Sequence, residues 1–342
     1  MRVNAERKLA RRNYRLRPEP SAASLLQLGF VSIVRRLKSA ENSTLVRRPN
    51  RPWPLVTIAG MALMLALLTV TRSARAEEPD LMETLIAQDV TLNNNLSPFE
   101  PRWERGPEGE HLGFGFGVEK KLSEDLGLDL NGEWDRTSPR GGHSSSGLGN
   151  VEVGLTYVFL HIPQGGFQFA ISSSVSIPTN SKLGADRSYT QSGNAIAWGG
   201  RLSDFPTGGW RKYLRAIEIQ GDIGFSRTFG GDNGYDFFFD PEIDYSMPFL
   251  NQSTDGAVPW MLRYLTPFAE LNFDRVVGHG PNGPLSVFLF PGLTFTAEKF
   301  RVAVGAQVAM NHEAARNQQV AAVVSILVFL DQIDPRFGWN PL

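Results

Sequence analysis

The chain has 342 residues, 42% of them hydrophobic and 11% aromatic, with 34 Gly, 22 Phe, no Cys and a formal net charge of −1. At that apolar content a mean hydropathy of −0.20 means that the apolar residues are dispersed, which excludes a polytopic helical membrane protein, whose spans each need about 20 consecutive apolar residues. The lack of cysteine excludes a disulfide framework, a thiolate metal site and a thiol nucleophile.

Charge is unevenly placed. Residues 1–76 carry 15 Lys/Arg against 3 acidic residues, a balance of +12 that leaves −13 for the rest of a chain of net −1. An acidic body does not neutralise phosphates, so nucleic acid is not an expected partner. From Leu55 to Thr71 the chain is uncharged, with Arg47, Arg48 and Arg51 before it and Ala74-Arg75-Ala76 after it. That layout predicts a secretory signal peptide over 46–76, cleaved after Ala76. The competing reading is a permanent helical anchor, since the run lies at the lower limit for a span. Residues 1–45 are expected to be either the product of a start codon assigned too early or a disordered basic extension, and Val46 can be encoded by an alternative start codon. The residues after Arg47-Arg48 do not complete a twin-arginine motif.

Residues 77–110 read as a periplasmic segment, and from 111 the apolar period becomes two. Leu126, Leu128, Leu130 and Trp134 alternate with Gly127, Asp129, Asn131, Glu133 and Asp135. Val151, Val153, Leu155, Tyr157 and Phe159 alternate with Glu152, Gly154 and Thr156, and Phe167, Phe169, Ile171, Val175 and Ile177 with Gln168, Ala170, Ser172, Ser174 and Ser176. Ile217, Ile219, Ile223 and Phe225 alternate with Glu218, Gln220 and Asp222. Strict alternation predicts half-exposed strands, here at 111–121, 125–136, 147–160, 166–177, 190–202, 213–228, 235–247, 260–275, 284–296, 299–310 and 317–330. Most exceed the globular norm of about 5–6 residues and match the 9–11 that a tilted membrane strand requires.

Connections alternate too. Ser123–Asp125, His161–Gly165 and Ala297–Lys299 are short, whereas Thr137–Gly147, Pro178–Thr190 and Val276–Pro284 are long and rich in Gly, Ser, Asn and Pro. Short turns facing the periplasm and long loops facing outward would make the strands at 111–121 and 317–330 both descend, so a further ascending strand is expected between about 85 and 104. The expected fold is therefore all-β: a transmembrane antiparallel up-and-down β-barrel of twelve strands, ten to fourteen being allowed, occupying 111–331 after that first strand, with a tail at 332–342. A soluble periplasmic β-barrel or sandwich also alternates. Strand length and the export signal argue against it, as does aromatic clustering near strand ends, at Tyr157 with Phe159, Tyr235 with Phe237 and Phe239, and Trp260 with Tyr264.

The segment Gly147-Leu148-Gly149-Asn150-Val151-Glu152-Val153-Gly154-Leu155-Thr156-Tyr157-Val158-Phe159-Leu160 resembles a glycine-led strand element of the outer-membrane barrels known as phenol-degradation-pathway (MetA-pathway) transporters. The motif resemblance covers this one strand and the architectural resemblance covers 110–330. It implies a bacterial outer-membrane channel for small solutes, hydrophobic or aromatic compounds among them, with no catalytic residues to carry over. The chain departs from that class in continuing past Phe329 to Trp339-Asn340-Pro341-Leu342; Phe329 is then expected to end the last strand and the remainder to fold under the barrel.

An enzyme reading requires a serine nucleophile, a histidine base and an orienting carboxylate. Of the five histidines, His143, His161, His279 and His312 fall in expected turns or loops and His111 at a strand start. His143-Ser144 is the only adjacent pair, in a Gly/Ser-rich loop without a G-x-S-x-G elbow. No H-E-x-x-H or Walker sequence occurs, and Gly113, Gly115 and Gly117 share one strand face rather than opening a helix. No catalytic, metal or cofactor residue is therefore assigned.

By alternation Glu119, Asp129, Asn131, Glu133, Glu152, Gln168, Glu218, Gln220, Asp222, Glu270 and Asn272 face the lumen. The expected protein is a passive channel or transporter whose acidic wall disfavours anions. A lipid-modifying enzyme and a purely structural barrel are the alternatives. The expected partners are outer-membrane lipids, the barrel-assembly machinery and a small-molecule solute.

Overall fold

The computed structural model describes residues 90–162, 166–179, 189–206, 208–229, 235–254, 256–277, 283–339 and 341. The basic head, the segment expected to be a signal peptide with its expected cleavage site, and His279 lie outside them. Twelve strands form: β1 (Asn95–Gly106), β2 (Gly109–Lys121), β3 (Leu126–Pro139), β4 (Ser145–Ile162), β5 (Phe167–Pro178), β6 (Thr190–Arg201), β7 (Ile217–Phe229), β8 (Tyr235–Tyr245), β9 (Leu265–Val277), β10 (Leu285–Thr296), β11 (Phe300–Ala309) and β12 (Val320–Phe329). Each pairs antiparallel with its neighbours in sequence, and β1 pairs with β12 from Asn95↔Phe329 to Arg105↔Val320, so the sheet closes. The additional first strand is β1.

Alternation sets each side chain's face, and the faces are inverted relative to a globular protein. Leu130, Ile177, Ile196, Ile223 and Ile243 are exposed, Ile243 by 52%, while Glu218, Glu270 and Asp135 are 0% exposed. A soluble barrel would bury the isoleucines and solvate the carboxylates. An apolar exterior around a polar interior is what a closed sheet needs in hydrocarbon.

Three expected strands start later than alternation suggested. Gly209–Ala216 is a 3-10 helix; its Trp210, Tyr213 and Leu214 recur at helical spacing, so the strand expected from 213 starts at Ile217. At 260–264 the Pro259 carbonyl accepts from Leu262 and Arg263 N–H at 2.9 and 3.2 Å, making a turn ahead of β9, which places Trp260 in a connection and not at a strand end. His312–Asn317 is a short helix, capped by Asn311 Oδ1 accepting from Ala314 N at 2.9 Å, so β12 starts at Val320. In the other direction, β4 runs on through His161 to Ile162.

One end of the barrel, here called proximal, carries the chain entering β1 and leaving β12. Its connections are not all short, because 202–216 and 246–264 join β6 to β7 and β8 to β9 there, the latter holding the helix Met247–Ser253. After Phe329 the chain folds against this end: Lys120 Nζ donates to the carbonyls of Phe337 and Trp339, each at 2.7 Å, and sits 5.6 Å above the Trp339 ring. Among the described strand residues Gly109 and Gly221 are the positions where glycine is compulsory, at φ 149° and 151°, because a Cβ would meet the Ser138 and Asp240 carbonyl oxygens at 2.3 and 2.4 Å.

A closed barrel resists detergent until heated, so the protein in sodium dodecyl sulfate should run faster unheated than boiled; a single mobility would refute closure. Ile223→Arg, at an outward position in mid-strand, should destabilise the barrel by about 2–4 kcal/mol in refolding titrations into lipid.

Candidate functional site: the barrel interior

All eleven side chains expected in the lumen lie on one register. Glu119 faces Asp129, Asn131 faces Glu152, Gln168 faces Gly199, and Glu218, Gln220 and Asp222 face Asp244, Glu242 and Asp240. Glu270 in turn faces Glu242, and Asn272 is buried two residues further along β9. The chain segment before β1 packs against the same register. Val90 and Leu92 are buried with Val158, Ala170 and Ala197, whose strand partners continue to Asp222. Asn93 N donates to Glu119 Oε1 at 2.9 Å.

Two acidic walls result. One runs along β7, β8 and β9 as a ladder of Glu218, Asp222, Asp240, Glu242, Asp244 and Glu270, all buried. Carboxylates directly opposite one another are mutually destabilising, as Glu218 and Asp244, Asp222 and Asp240, and Glu242 and Glu270 are here, and amides donate to several of them. Gln220 Nε2 donates to Glu242 Oε1 at 3.0 Å and to Asp244 Oδ2 at 2.8 Å, and Asn272 Nδ2 to Glu270 Oε1 at 3.2 Å. A relay of amides extends this from Gln318 to Gln307 to Asn272, at 2.9 and 3.1 Å. The second wall spans β1 to β4, with Glu100, Glu104, Glu119, Asp129, Glu133, Asp135 and Glu152. Gly113 and Gly117 leave the room in which Glu133 and Asn131 lie flat: a Cβ at either would meet their side-chain oxygens at 2.1 and 2.2 Å.

On β10 to β12 an apolar strip runs among buried polar residues such as Thr294, Arg301 and Gln307. Phe268 and Phe290 stack with ring centroids 6.1 Å apart. Gly292 and Gly305 make room for them, since a Cβ there would meet ring atoms at 2.0 and 2.5 Å. Phe288, Ala303, Ala321 and Leu327 continue the strip across β10 to β12.

The two mouths differ. The proximal one holds a cavity of about 540 Å³ lined by Asn93, Asn94, Arg201, Phe249, Arg301 and Asp331 among others. Arg201 anchors it: Nε donates to Glu218 Oε1 at 2.8 Å, Nη2 donates to the same oxygen, and the guanidinium lies 4.3 Å from the Phe249 ring. The distal one holds a cavity of about 370 Å³ lined by Glu104, Glu108, Glu110, His111, Asp274 and Phe288 among others. The remaining described histidines are scattered: His143 lies in the exposed β3–β4 loop, His161 Nε2 is 3.3 Å from Asp125 Oδ1, and His312 opens a short helix.

Sequence reading missed Asp240, Glu242 and Asp244 because Phe237-Phe238-Phe239 breaks the alternation and Pro241 lies among them within the strand, where proline is unusual. Phe268 was legible by parity, standing two residues before Glu270, whereas Arg201 is set opposite Glu218 by cross-strand register.

No family model matches the chain, and no curated protein matches it. Among solved structures it is similar to the KdgM porin, at 13% identity over 67% of this chain and 97% of that one, with a TM-score of 0.41. It is also similar to the NanC porin, at 7% identity over 68% and 98% with a TM-score of 0.43. An outer membrane channel from Pseudomonas putida F1 matches at 8% identity over 72% and 99%, with a TM-score of 0.49.

Arg201→Ala would strand the buried Glu218 carboxylate. The expected loss is about 3–5 kcal/mol in refolding titrations, as for other buried pairs broken on one side, with Arg201→Ala/Glu218→Gln recovering most of it. Equal stability of the single variant and the parent would show the pair to be solvated.

Proposed function

We propose that this protein is a passive channel of the bacterial outer membrane that admits small neutral or cationic solutes, aromatic ones among them, and catalyses no reaction. The observation that carries the reading is the buried carboxylate ladder of β7 to β9 inside a closed sheet whose outer face is apolar. Carboxylates held in an interior of lowered dielectric attract cations and repel anions more strongly than the same groups in bulk water. The Phe268–Phe290 strip beside them supplies flat apolar surface for a ring, and cations themselves favour aromatic faces. The strand element at Gly147–Leu160 and its resemblance to phenol-degradation-pathway transporters support the same class of solute.

In this reading the proximal end faces the periplasm, the 46–76 segment is a signal cleaved after Ala76, and insertion among outer-membrane lipids uses the barrel-assembly machinery. The segment Val90–Asn94 narrows the proximal half of the pore, and Arg201 and Arg301 give its mouth a local positive charge against the acidic interior.

Reconstituted in planar bilayers under a KCl gradient, the protein should show discrete conductance steps with a reversal potential indicating preference for potassium. Asp240→Asn/Glu242→Gln/Glu270→Gln should lower that preference several-fold at 0.1 M salt and much less at 1 M, where the screening length shrinks to about 3 Å. Chloride preference, or a folded barrel that passes no current, would overturn the proposal.

A further inference from the structure

The acidic wall of β1 to β3 contains a cluster of different chemistry from the ladder. His111 on β2 and Glu133 and Asp135 on β3 each present one donor atom, and these atoms all lie within 4.8 Å of one another. His111 Nε2 is 2.6 Å from Asp135 Oδ1, while its Nδ1 is 3.6 Å from Glu104 Oε2 on β1. Asp135 is 0% exposed and the His111 side chain 12%. Two glycines shape the cluster. A Cβ at Gly113 would meet Glu133 Oε1 at 2.1 Å and one at Gly149 would meet Asp135 Oδ2 at 2.2 Å, so both carboxylates lie flat on the wall towards His111. His111 and Glu104 also line the distal cavity, which gives an ion a way in.

We propose that His111 Nε2, Asp135 and Glu133 form a binding site for a divalent transition-metal ion of the zinc class in the distal half of the lumen. One imidazole with two carboxylates is a borderline donor set that suits zinc, whereas calcium and magnesium take oxygen alone. Two carboxylates and a neutral imidazole balance the ion's charge of +2. The 2.6 Å contact between Nε2 and Asp135 is bridged by a proton in the metal-free protein, and the ion replaces that proton, spreading the two ligands apart. Glu104, 3.6 Å from Nδ1, stands where a small shift of the ring on metal binding would let it accept from Nδ1–H, as carboxylates behind metal-bound histidines do. Three protein ligands leave a position open to water or to a donor atom of a solute in the cavity, which makes the site a binding step on the solute path. The role on a solute path rests on the channel reading, whereas zinc binding by His111, Asp135 and Glu133 is independent of conduction.

The test is calorimetric titration of the folded, chelator-stripped full-length barrel in detergent with zinc chloride at pH 7.5. One saturable site is expected, weakened at least tenfold by His111→Ala and by Asp135→Asn, left unchanged by Glu242→Gln on the opposite wall, and not displaced by millimolar magnesium. Heat-modifiable gel mobility confirms that each variant is folded. If either variant does not fold, X-ray absorption of the zinc-loaded parent decides: a coordination shell with one imidazole among oxygens supports the site, and an all-oxygen shell overturns it. No saturable binding, affinity unaffected by His111→Ala, or displacement by magnesium overturns it equally, since each would reduce the cluster to a diffuse acidic field.

Discussion

A backbone amide in hydrocarbon has no water to bond, and every other feature of this protein depends on that constraint. A strand edge left open would expose a row of N–H and C=O groups at several kcal/mol each. The β1–β12 pairing removes the last edge, and it can do so because the segment ahead of residue 111 supplies an even-numbered partner. Once the sheet is closed, the period of two assigns every strand residue to lipid or lumen, and a one-residue slip in any strand would exchange the two faces. Register is thereby pinned by the outward Ile, Phe and Leu as strongly as by the inward acids.

Inside, the cost of gathering like charges is met locally. Gln220 and Asn272 donate to the carboxylates of the ladder, Arg201 holds Glu218, and glycines on facing strands let long side chains lie against the wall instead of filling the bore. The same small-for-large exchange serves the aromatic strip, where Gly292 and Gly305 lie beneath Phe268 and Phe290. Polarity is thus arranged in longitudinal bands, acidic on β1 to β4 and on β7 to β9, with an aromatic strip set among uncharged polar residues and Arg301 on β10 to β12.

Much of this was legible in residue order because alternation is a local signal. Leu126 to Asp135 and Ile217 to Phe225 declare both strand and face without reference to anything distant. Where local signals compete, the reading shifts: Trp210, Tyr213 and Leu214 have helical spacing at a place where alternation alone extended a strand, and Phe237-Phe238-Phe239 hides the parity of the acids that follow. The His111 cluster had no signature at all, since its members come from separate strands and no fixed spacing joins them. Metal motifs are readable in sequence when ligands share one helix or loop, and register-dependent sites are not.

The sequence by itself determined the fold class, the strand count, the placement of Glu119, Asp129, Glu152, Glu218 and Glu270 on one face of their strands, and the acidic character of the body, because each follows from side-chain period and composition. Only the tertiary structure decided which inward residues face one another: Glu242 with Glu270, Arg201 with Glu218, His111 beside Asp135, and Val90 and Leu92 within the lumen. Those neighbours depend on cross-strand register and on the path of a segment that is not itself a strand. Register is fixed by closure of the whole ring, which no local stretch of sequence encodes.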